Sequence, residues 1–229
     1  MHRHALQLRA LSLFENLSPE KLSRIADLCA FHSYGESEQI VGEHERTNDV
    51  FFVLTGTVRV KSYSSSGREV IFDNISAGTV FGEFSAVDHR PRSATVIAST
   101  DCVVARLAST RFLKILEENS SIAIQLIELL VLKVRAMSER VFEISALPVR
   151  ERVRRELVRL AASGIIVGTS VVIRRAPTHY EIASRIGSHR EAVTRELSQL
   201  KAERLIEVRL REIRIVDFER FKVDAAQSY

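Results

Sequence analysis

The stretch FGEFSAVDHRPRSATV, residues 81–96, interrupts a series of short apolar segments with an excursion of different chemistry. It carries a carboxylate at Glu83, a guanidinium at Arg92 and a hydroxyl at Ser93. Because Gly82 has no side chain, backbone N–H groups there can approach an anion, and Arg92 can donate two hydrogen bonds to one phosphate group. Glu83 repels phosphate but can accept a hydrogen bond from a ribose hydroxyl. This combination is typical of a nucleotide site, and the plainer interpretation is a solvated loop.

Outward from this stretch, the chain consists of short apolar segments: EQIV, DVFFVLTGTVRVKSY, REVIFDNI, TVFGEF, ATVIA and CVVARL. The glycines that separate them are Gly42, Gly56, Gly67, Gly78 and Gly82. Dense short strands with regular glycine turns predict an antiparallel barrel or roll, and of these we expect a β-roll of the jelly-roll type. A helix precedes the roll, because Ser18 followed by Pro19 is a helix start and a helical apolar rhythm follows.

After the strands, the apolar spacing changes to that of a long helix. Its apolar residues are separated alternately by four and three positions: Ala123, Ile127, Leu130, Val134, Met137, Val141 and Ile144. Such a seam, held over about three heptads, is typical of a helix that pairs with a second helix. The alternative is a helix packed on its own roll, which normally shows a wider apolar face. We expect a homodimer formed through residues 123–144.

Pro148 predicts a hinge, because proline disfavours helical geometry at the preceding Leu147 and suits the first turn of a new helix. Beyond it we expect a helix over residues 149–162, a strand in TSVVIRR, two short helices and the alternating tail LIEVRLREIRIVD. The predicted fold class is α+β. The predicted division is a roll at residues 1–116, a dimerisation helix and hinge at 117–147, and a third domain at 148–229.

The two short helices have the pattern of a helix-turn-helix. Thr178 with Glu181 predicts one capping box, and Ser188 with Glu191 predicts a second. Gly187 between them supplies a tight turn. The alternating tail then predicts two strands around a charged turn, which together make a wing.

The second short helix carries side chains that can read DNA bases. Arg190 and Arg195 offer paired donors to guanine O6 and N7, and Glu191 can accept from cytosine N4. With Ser188 and His189 they occupy the N-terminal half of the helix, which reaches base edges in the major groove. For this helix alone, the plainer interpretation is an exposed surface of Arg–Glu pairs.

Charge and composition narrow the class of protein. Residues 147–229 contain 17 Lys and Arg against 11 Asp and Glu, net +6, whereas residues 1–146 contain 16 against 18, net −2. The basic excess indicates that the last third binds a polyanion.

Composition also bears on where the protein acts. No apolar run is long enough for a membrane span, the N-terminus lacks a signal-peptide pattern, and two cysteines make no disulfide framework, so we expect a cytoplasmic protein without a membrane partner. No nucleophile–base pair, metal-spaced cluster or triphosphate loop is present, so we expect no enzyme, catalytic residue, metal or cofactor.

The stretch at residues 81–96 resembles the phosphate-binding cassette of cyclic-nucleotide-binding domains. Nearly the whole chain, from the N-terminal helix to the wing, is similar to the Crp/Fnr family of bacterial transcription regulators, in its cyclic-AMP-receptor branch. The resemblance implies that cyclic AMP or cyclic GMP is an allosteric ligand, held by Gly82, Glu83, Phe84, Arg92 and Ser93 and, on the long helix, by Met137 and Ser138. Met137 departs from the family's pair of hydroxyl residues, which leaves the choice between cyclic AMP and cyclic GMP open.

The resemblance also implies that Arg190, Glu191 and Arg195 read a TGTGA-like half-site. A homodimer would then bind a palindromic operator on double-stranded DNA, with RNA polymerase a further candidate partner. Ligand in the roll is expected to shift the dimer between two arrangements and bring the two recognition helices into register on the DNA.

Four alternative functions can be compared with the sequence, and the sequence disfavours the last two. The first is a regulator of the same fold that no cyclic nucleotide gates, and the second is a regulatory subunit of an enzyme. The third, an iron–sulfur sensor, would need about four cysteine ligands, and this chain has two. The fourth is a haem sensor, for which histidines are available but against which the intact cassette argues.

Overall fold

The structure, a computed structural model, describes residues 3–226. The chain divides into two compact units, Met1–Lys133 and Val134–Tyr229. The predicted division into three domains stays a prediction, and its outer limits at residues 1 and 229 lie outside the described residues.

The first unit contains a roll of eight strands with helices at either end. Its helical elements are α1 (Arg3–Arg9), a single 3-10 turn (Ser12–Phe14), α2 (Pro19–Leu28), α3 (Glu83–Asp88) and α4 (Ser109–Glu118). Its strands are β1 (Ala30–Tyr34), β2 (Gln39–Val41), β3 (Val50–Thr55), β4 (Thr57–Tyr63), β5 (Glu69–Ser76), β6 (Val80–Phe81), β7 (Thr95–Ala98) and β8 (Cys102–Leu107). The predicted start of α2 is confirmed, since Ser18 accepts a hydrogen bond from the Lys21 backbone N–H at 3.4 Å and Pro19 is the first helical residue.

Two four-stranded antiparallel sheets form the roll, in the orders β1-β8-β3-β6 and β2-β7-β4-β5. Alternate side chains of β3 and β8 enter different apolar clusters: Phe52 packs with the helices, whereas Val53 and Val104 fill the space between the sheets. The predicted α+β class and antiparallel roll are therefore confirmed.

The long helix α5 (Ser120–Ala146) has two apolar faces. On one face Ile122 and Leu126 are buried in the core of the first unit. Most of the predicted seam lies exposed, from 48% at Ile144 to 65% at Val141. Of the seam residues, Leu130 is partly buried against the same core, whereas the exposed ones stay open to solvent within one chain.

The second unit is a helical domain with a four-stranded sheet. Its helices are α6 (Val149–Ala161), α7 (His179–Arg185), α8 (Arg190–Ala202) and α9 (Phe218–Ala226). Its strands are β9 (Ile165–Val167), β10 (Ser170–Arg174), β11 (Ile206–Arg209) and β12 (Glu212–Ile215), in the order β11-β12-β10-β9. The wing is therefore the β11–β12 hairpin, as predicted.

The predicted capping box at Ser188 is wrong. Helix α8 begins one residue later, with His189 as its N-cap and no side-chain cap hydrogen bond. Gly187 has a left-handed backbone (φ 63°), and the Ser188 backbone N–H donates to the Ala183 carbonyl at 2.9 Å. Ser188 is therefore part of the turn that precedes α8. The capping box at Thr178 and Glu181 forms as expected.

Several elements were not predicted. The segment TVFGEF is not one strand, because the left-handed Gly82 ends β6 and turns the chain into α3. Strand β9 pairs with β10, and α9 buries Phe221 in the core of the second unit. Within the described residues, no helix combines the length and the apolar character that crossing a membrane requires.

Candidate ligand-binding and DNA-binding sites

Gly82 is the position on which the cassette geometry depends. Its backbone is left-handed (φ 82°), and a β-carbon there would lie 2.8 Å from the Asp49 carbonyl oxygen and 2.9 Å from Arg92 Nη1. Both distances are shorter than real carbon contacts. Only glycine therefore allows the Arg92 guanidinium to lie against this turn.

Arg92 is buried, with 3% of its surface exposed. Its Nε donates to Thr47 Oγ1 at 2.9 Å, Nη1 to the Gly82 carbonyl at 3.1 Å and Nη2 to the Asp49 carbonyl at 2.8 Å. Its guanidinium lies 5.6 Å from the centre of the Phe51 ring. These three acceptors are neutral, so among the described residues the cation is hydrogen-bonded but not in an ion pair.

The carboxylate nearest to this cation is taken by another residue. The Asp49 carboxylate accepts a hydrogen bond from Arg106 Nε at 2.7 Å, while only its backbone carbonyl contacts Arg92. Burial lowers the pKa of Arg92 below its ordinary value, and the negative charges of Asp49 and Glu45 offset this only in part. A buried cation without a carboxylate partner is costly, and an anion delivered from solvent would compensate it.

The backbone of the cassette is anchored to the loop between β2 and β3. The Arg92 N–H donates to the Glu45 carbonyl at 2.9 Å, and the His44 N–H donates to the Arg92 carbonyl at 2.9 Å. This loop also supplies Thr47 and Asp49. The role of this loop was not predicted, because nothing in its polar composition distinguishes a segment that binds a guanidinium from an ordinary turn.

Glu83, the predicted ribose acceptor, is 3% exposed and has a cationic partner. Lys133 Nζ on α5 donates to Glu83 Oε1 at 2.7 Å and lies 5.8 Å from the centre of the Phe84 ring. The pair neutralises the buried carboxylate and joins the cassette to α5 within the first unit. Lys133 was not predicted, since its sequence signal is only a lysine outside the apolar seam.

The remaining predicted ligand contacts are accessible to solvent. Ser93 is exposed beside the buried Arg92, and Phe84 is 42% exposed. Met137 and Ser138 belong to the second unit. Met137 is 51% exposed, and the exposed Ser138 hydroxyl donates to the Val134 carbonyl at 3.0 Å. The roles of all four in ligand binding stay predictions.

The two cysteines are poor candidates for metal ligands. Burial raises the pKa of Cys29 to about 12 and raises that of Cys102 as well. Both side chains are therefore protonated thiols near neutral pH, whereas metals bind the thiolate.

The predicted DNA-reading residues lie at the exposed start of α8. Arg190, Glu191 and Arg195 are exposed, as is the N-cap His189. Ser188 is only 7% exposed, so we assign it to the turn and not to the DNA-facing set. Their contacts with DNA stay predictions.

The contact between α7 and α8 is held by both apolar and polar groups. Ile182, Val193 and Leu197 are buried between the helices. At the exposed end of the contact, His179 Nδ1 lies 2.8 Å from Thr194 Oγ1. Packing against α7 therefore fixes the position of the start of α8.

A network of buried charges supports this domain. Glu156 on α6 is 1% exposed and has three arginine partners: Arg159 at 3.0 Å, Arg140 at 3.3 Å and Arg185 at 3.4 Å. Glu143, near the end of α5, pairs with Arg159 at 2.8 Å. Burial acts to lower the pKa of Arg159, but hydrogen bonding to Glu143 and the charge of Glu156 raise it above its ordinary value. The network ties the last turns of α5 to α6 and α7.

A ligand-binding roll, a long helix and a winged helix-turn-helix together define a ligand-responsive DNA-binding regulator. Two family models match the chain: a cyclic nucleotide-binding domain at residues 31–119 and a Crp-like helix-turn-helix domain at residues 151–223. The chain is 26% identical over 179 residues to the cAMP-activated global transcriptional regulator CRP of Salmonella typhimurium, covering 78% of this chain and 85% of that protein.

Solved structures share the fold. FixK2 from Bradyrhizobium japonicum matches with a TM-score of 0.74 at 24% identity, covering 85% of this chain and 96% of that one. A CooA mutant from Carboxydothermus hydrogenoformans matches with a TM-score of 0.79 at 19% identity, covering 96% and 99%. The chain belongs to the Crp/Fnr family of transcription regulators, whose members among these relatives are regulators and not enzymes. The predicted family and the prediction that the chain is not an enzyme are confirmed.

Proposed function

We propose that this chain is a homodimeric transcription regulator that binds a palindromic TGTGA-like operator when a cyclic nucleotide occupies each roll. Cyclic AMP and cyclic GMP are the two ligands that the cassette suits. DNA binding places the protein in the cytoplasm, where RNA polymerase is a candidate partner.

The observation that carries the proposal is the buried Arg92. A guanidinium has five N–H donors, and three of those of Arg92 are used by neutral protein oxygens. The phosphodiester of a cyclic nucleotide carries one negative charge. It would supply the missing anion and accept hydrogen bonds from the remaining N–H donors of Arg92. Because the site is shielded from water, this interaction would be stronger than the same pair at the surface.

The pair of Lys133 and Glu83 supports a route from the ligand to the long helix. A ribose 2′-OH that donates to Glu83 would compete with Lys133 for the same carboxylate oxygens. Exchange of these partners would change how α5 is held at Lys133, which immediately precedes the exposed seam residue Val134. Ligand would thereby bias the dimer between two arrangements, with Met137 and Ser138 as the predicted purine contacts.

Replacing Arg92 tests the cassette. We expect Arg92→Ala to lower the affinity for cyclic nucleotide by about 100-fold or more, because two charge-assisted hydrogen bonds to phosphate are lost. Arg92→Lys should fall in between, since lysine keeps the charge but not the paired donors. The measurement is calorimetric titration with cyclic AMP and with cyclic GMP, alongside circular dichroism to establish that each variant is folded.

Arg24→Ala is the matched control. Arg24 is an exposed arginine on α2, outside the predicted cassette and outside the residues that contact Arg92 and Asp49. Its removal should leave the nucleotide affinity within about twofold, the effect of a distant surface charge. A folded Arg92→Ala variant with unchanged affinity would contradict the assignment of the phosphate site.

A regulator of the same fold without a cyclic nucleotide is the second candidate. The specific observation in its favour is that Arg92 and Glu83 already have protein partners. In that case the wild-type chain would bind DNA equally with and without either nucleotide, and the calorimeter would record no heat of binding.

A further inference from the structure

The tip of the wing carries an unusual residue. Leu210 and Arg211 form the two-residue turn between β11 and β12. The Leu210 side chain is fully exposed and its backbone is left-handed (φ 47°). A branched side chain disfavours this conformation, which glycine, asparagine and aspartate adopt more readily. Both the backbone and the apolar surface of Leu210 are therefore unfavourable in the free protein.

Leu210 also differs from the other residues with this conformation. Within the described residues the other non-glycine positions with positive φ are polar or charged: Ser37, His44, His89, Arg175 and Arg204. A single exposed leucine needs no explanation by itself, but a strained and fully exposed one between two arginines, Arg209 and Arg211, indicates an interaction surface.

A basic groove lies between the wing and the end of the recognition helix. It has a volume of about 550 Å³ and is lined by Lys201 at the end of α8, by Arg204 and by Arg209 on β11. The one carboxylate in its lining, Glu207, is 4.0 Å from Arg214, which offsets its charge. Three cations along a groove next to a recognition helix suit the phosphate backbone of DNA.

The basic groove indicates which surface of DNA the wing tip would meet. With the start of α8 in the major groove, the cations of the basic groove would attract the phosphate strand that borders it. The minor groove begins on the other side of such a phosphate strand, and the exposed wing tip would face it there. We propose that Leu210 inserts into the minor groove as an apolar wedge, with Arg209 and Arg211 on either side of it. The inference rests on the proposed DNA binding and adds a second contact to it.

In the minor groove the hydrogen-bonding groups of the bases distinguish little more than A·T from G·C pairs. We therefore expect the wing to recognise the shape of the DNA rather than individual bases. Narrow A·T-rich minor grooves attract arginine, and apolar wedges widen a base step and bend the duplex. We therefore expect the protein to prefer A·T pairs outside the half-sites read by α8, at positions that no α8 side chain contacts.

The test compares wild type with Leu210→Asn, because asparagine tolerates the left-handed backbone while removing the apolar side chain. The probes are two duplexes with the same pair of TGTGA half-sites and either A·T or G·C pairs outside them, titrated with saturating cyclic AMP and, separately, cyclic GMP. On the A·T duplex we expect Leu210→Asn to bind about tenfold more weakly, the equivalent of exposing a buried leucine. The preference for A·T flanks should fall with it, and energy transfer between dyes at the duplex ends should report a smaller bend.

Ile166→Asn is the control, since Ile166 is an exposed apolar residue on the other hairpin of the same sheet. It should leave affinity, flank preference and bend unchanged. Leu210→Asn that behaves as wild type in all three would overturn the wedge alone and leave operator binding intact. Failure of the wild-type chain to bind either duplex under both nucleotides would overturn the proposed function and the wedge with it.

Discussion

At the scale of the residue, the cassette is organised around one cation that the protein itself does not neutralise. Arg92 is positioned by a hydroxyl, two carbonyls and an aromatic ring, and the neighbouring carboxylate of Asp49 is held by Arg106. Burying a charge costs several kcal/mol unless it is paired, so this cost is carried by the rest of the fold. A ligand that supplies the anion would offset part of this free-energy cost when it binds.

Gly82→Ala is expected to be far more damaging than its backbone angle alone predicts. Any residue with a β-carbon at φ 82° pays about 1–2 kcal/mol, and here that carbon would also displace Arg92 and the Asp49 carbonyl. We expect a loss of at least about 3 kcal/mol of stability, as for other overpacked and strained sites, together with lost nucleotide affinity. Chemical denaturation and calorimetric titration measure the two effects.

Gly67→Ala is a closely matched control for this substitution. Gly67 has nearly the same angle (φ 77°) but nothing within 4 Å of the added carbon. It should lose only the conformational contribution of about 1–2 kcal/mol and keep its nucleotide affinity. Equal losses in the two variants would show that the close approach to Arg92 has no role.

At the scale of the element, α5 combines two different apolar surfaces. Ile122 and Leu126 attach its first turns to the roll, whereas Ile127, Val134 and Val141 are 59–65% exposed. These exposed residues follow the spacing of a coiled-coil seam rather than the wider face of a helix on its own domain. The dimer proposed above would cover them.

Val141→Glu is expected to weaken the dimer. Two carboxylates would then face each other across the seam, and burial of such charges should cost at least about 2 kcal/mol of association free energy. Sedimentation equilibrium would record a larger monomer fraction. Ile166→Glu, an equally drastic change at a more exposed residue outside α5, should leave the monomer–dimer equilibrium unaltered. Identical association of wild type and Val141→Glu would contradict pairing through this seam.

At the scale of the whole molecule, charge is separated along the sequence. Residues 147–229 carry a net charge of +6 and residues 1–146 carry −2. The basic end suits a DNA duplex, and the other end carries the cassette. A regulator needs both properties, and the continuous helix α5 runs from one unit into the other.

A two-fold symmetric dimer predicts a fixed phase between half-sites. Recognition helices about 34 Å apart reach successive major grooves on one side of the duplex. Inserting about five base pairs between the half-sites rotates one of them to the opposite side, and we expect the affinity to fall at least about tenfold. Inserting about ten should restore part of it. Titration of labelled duplexes measures this, and affinity independent of spacer length would contradict simultaneous binding of both half-sites.

Much of the architecture follows from local patterns in the sequence. Short apolar segments with regular glycines predicted the roll, and the capping box at Thr178 with Gly187 predicted the helix-turn-helix. These signals are local because each depends on backbone geometry within a few residues. The same reasoning failed at Ser188, which local chemistry would place at the N-cap of α8. In the structure Ser188 belongs to the turn between α7 and α8, and His189 is the N-cap.

The sequence by itself determined the family, most of the elements and the presence of Gly82, Glu83 and Arg92 in one cassette. Only the tertiary structure decided what surrounds them, namely the Thr47 and Asp49 cradle and the Lys133 partner of Glu83. In the second unit, it alone showed the strained, exposed Leu210 at the end of a hairpin that lines a basic groove. The physical reason is that residue type and spacing encode local conformation. The partner of a buried charge comes from segments distant in sequence, and packing alone brings those segments together.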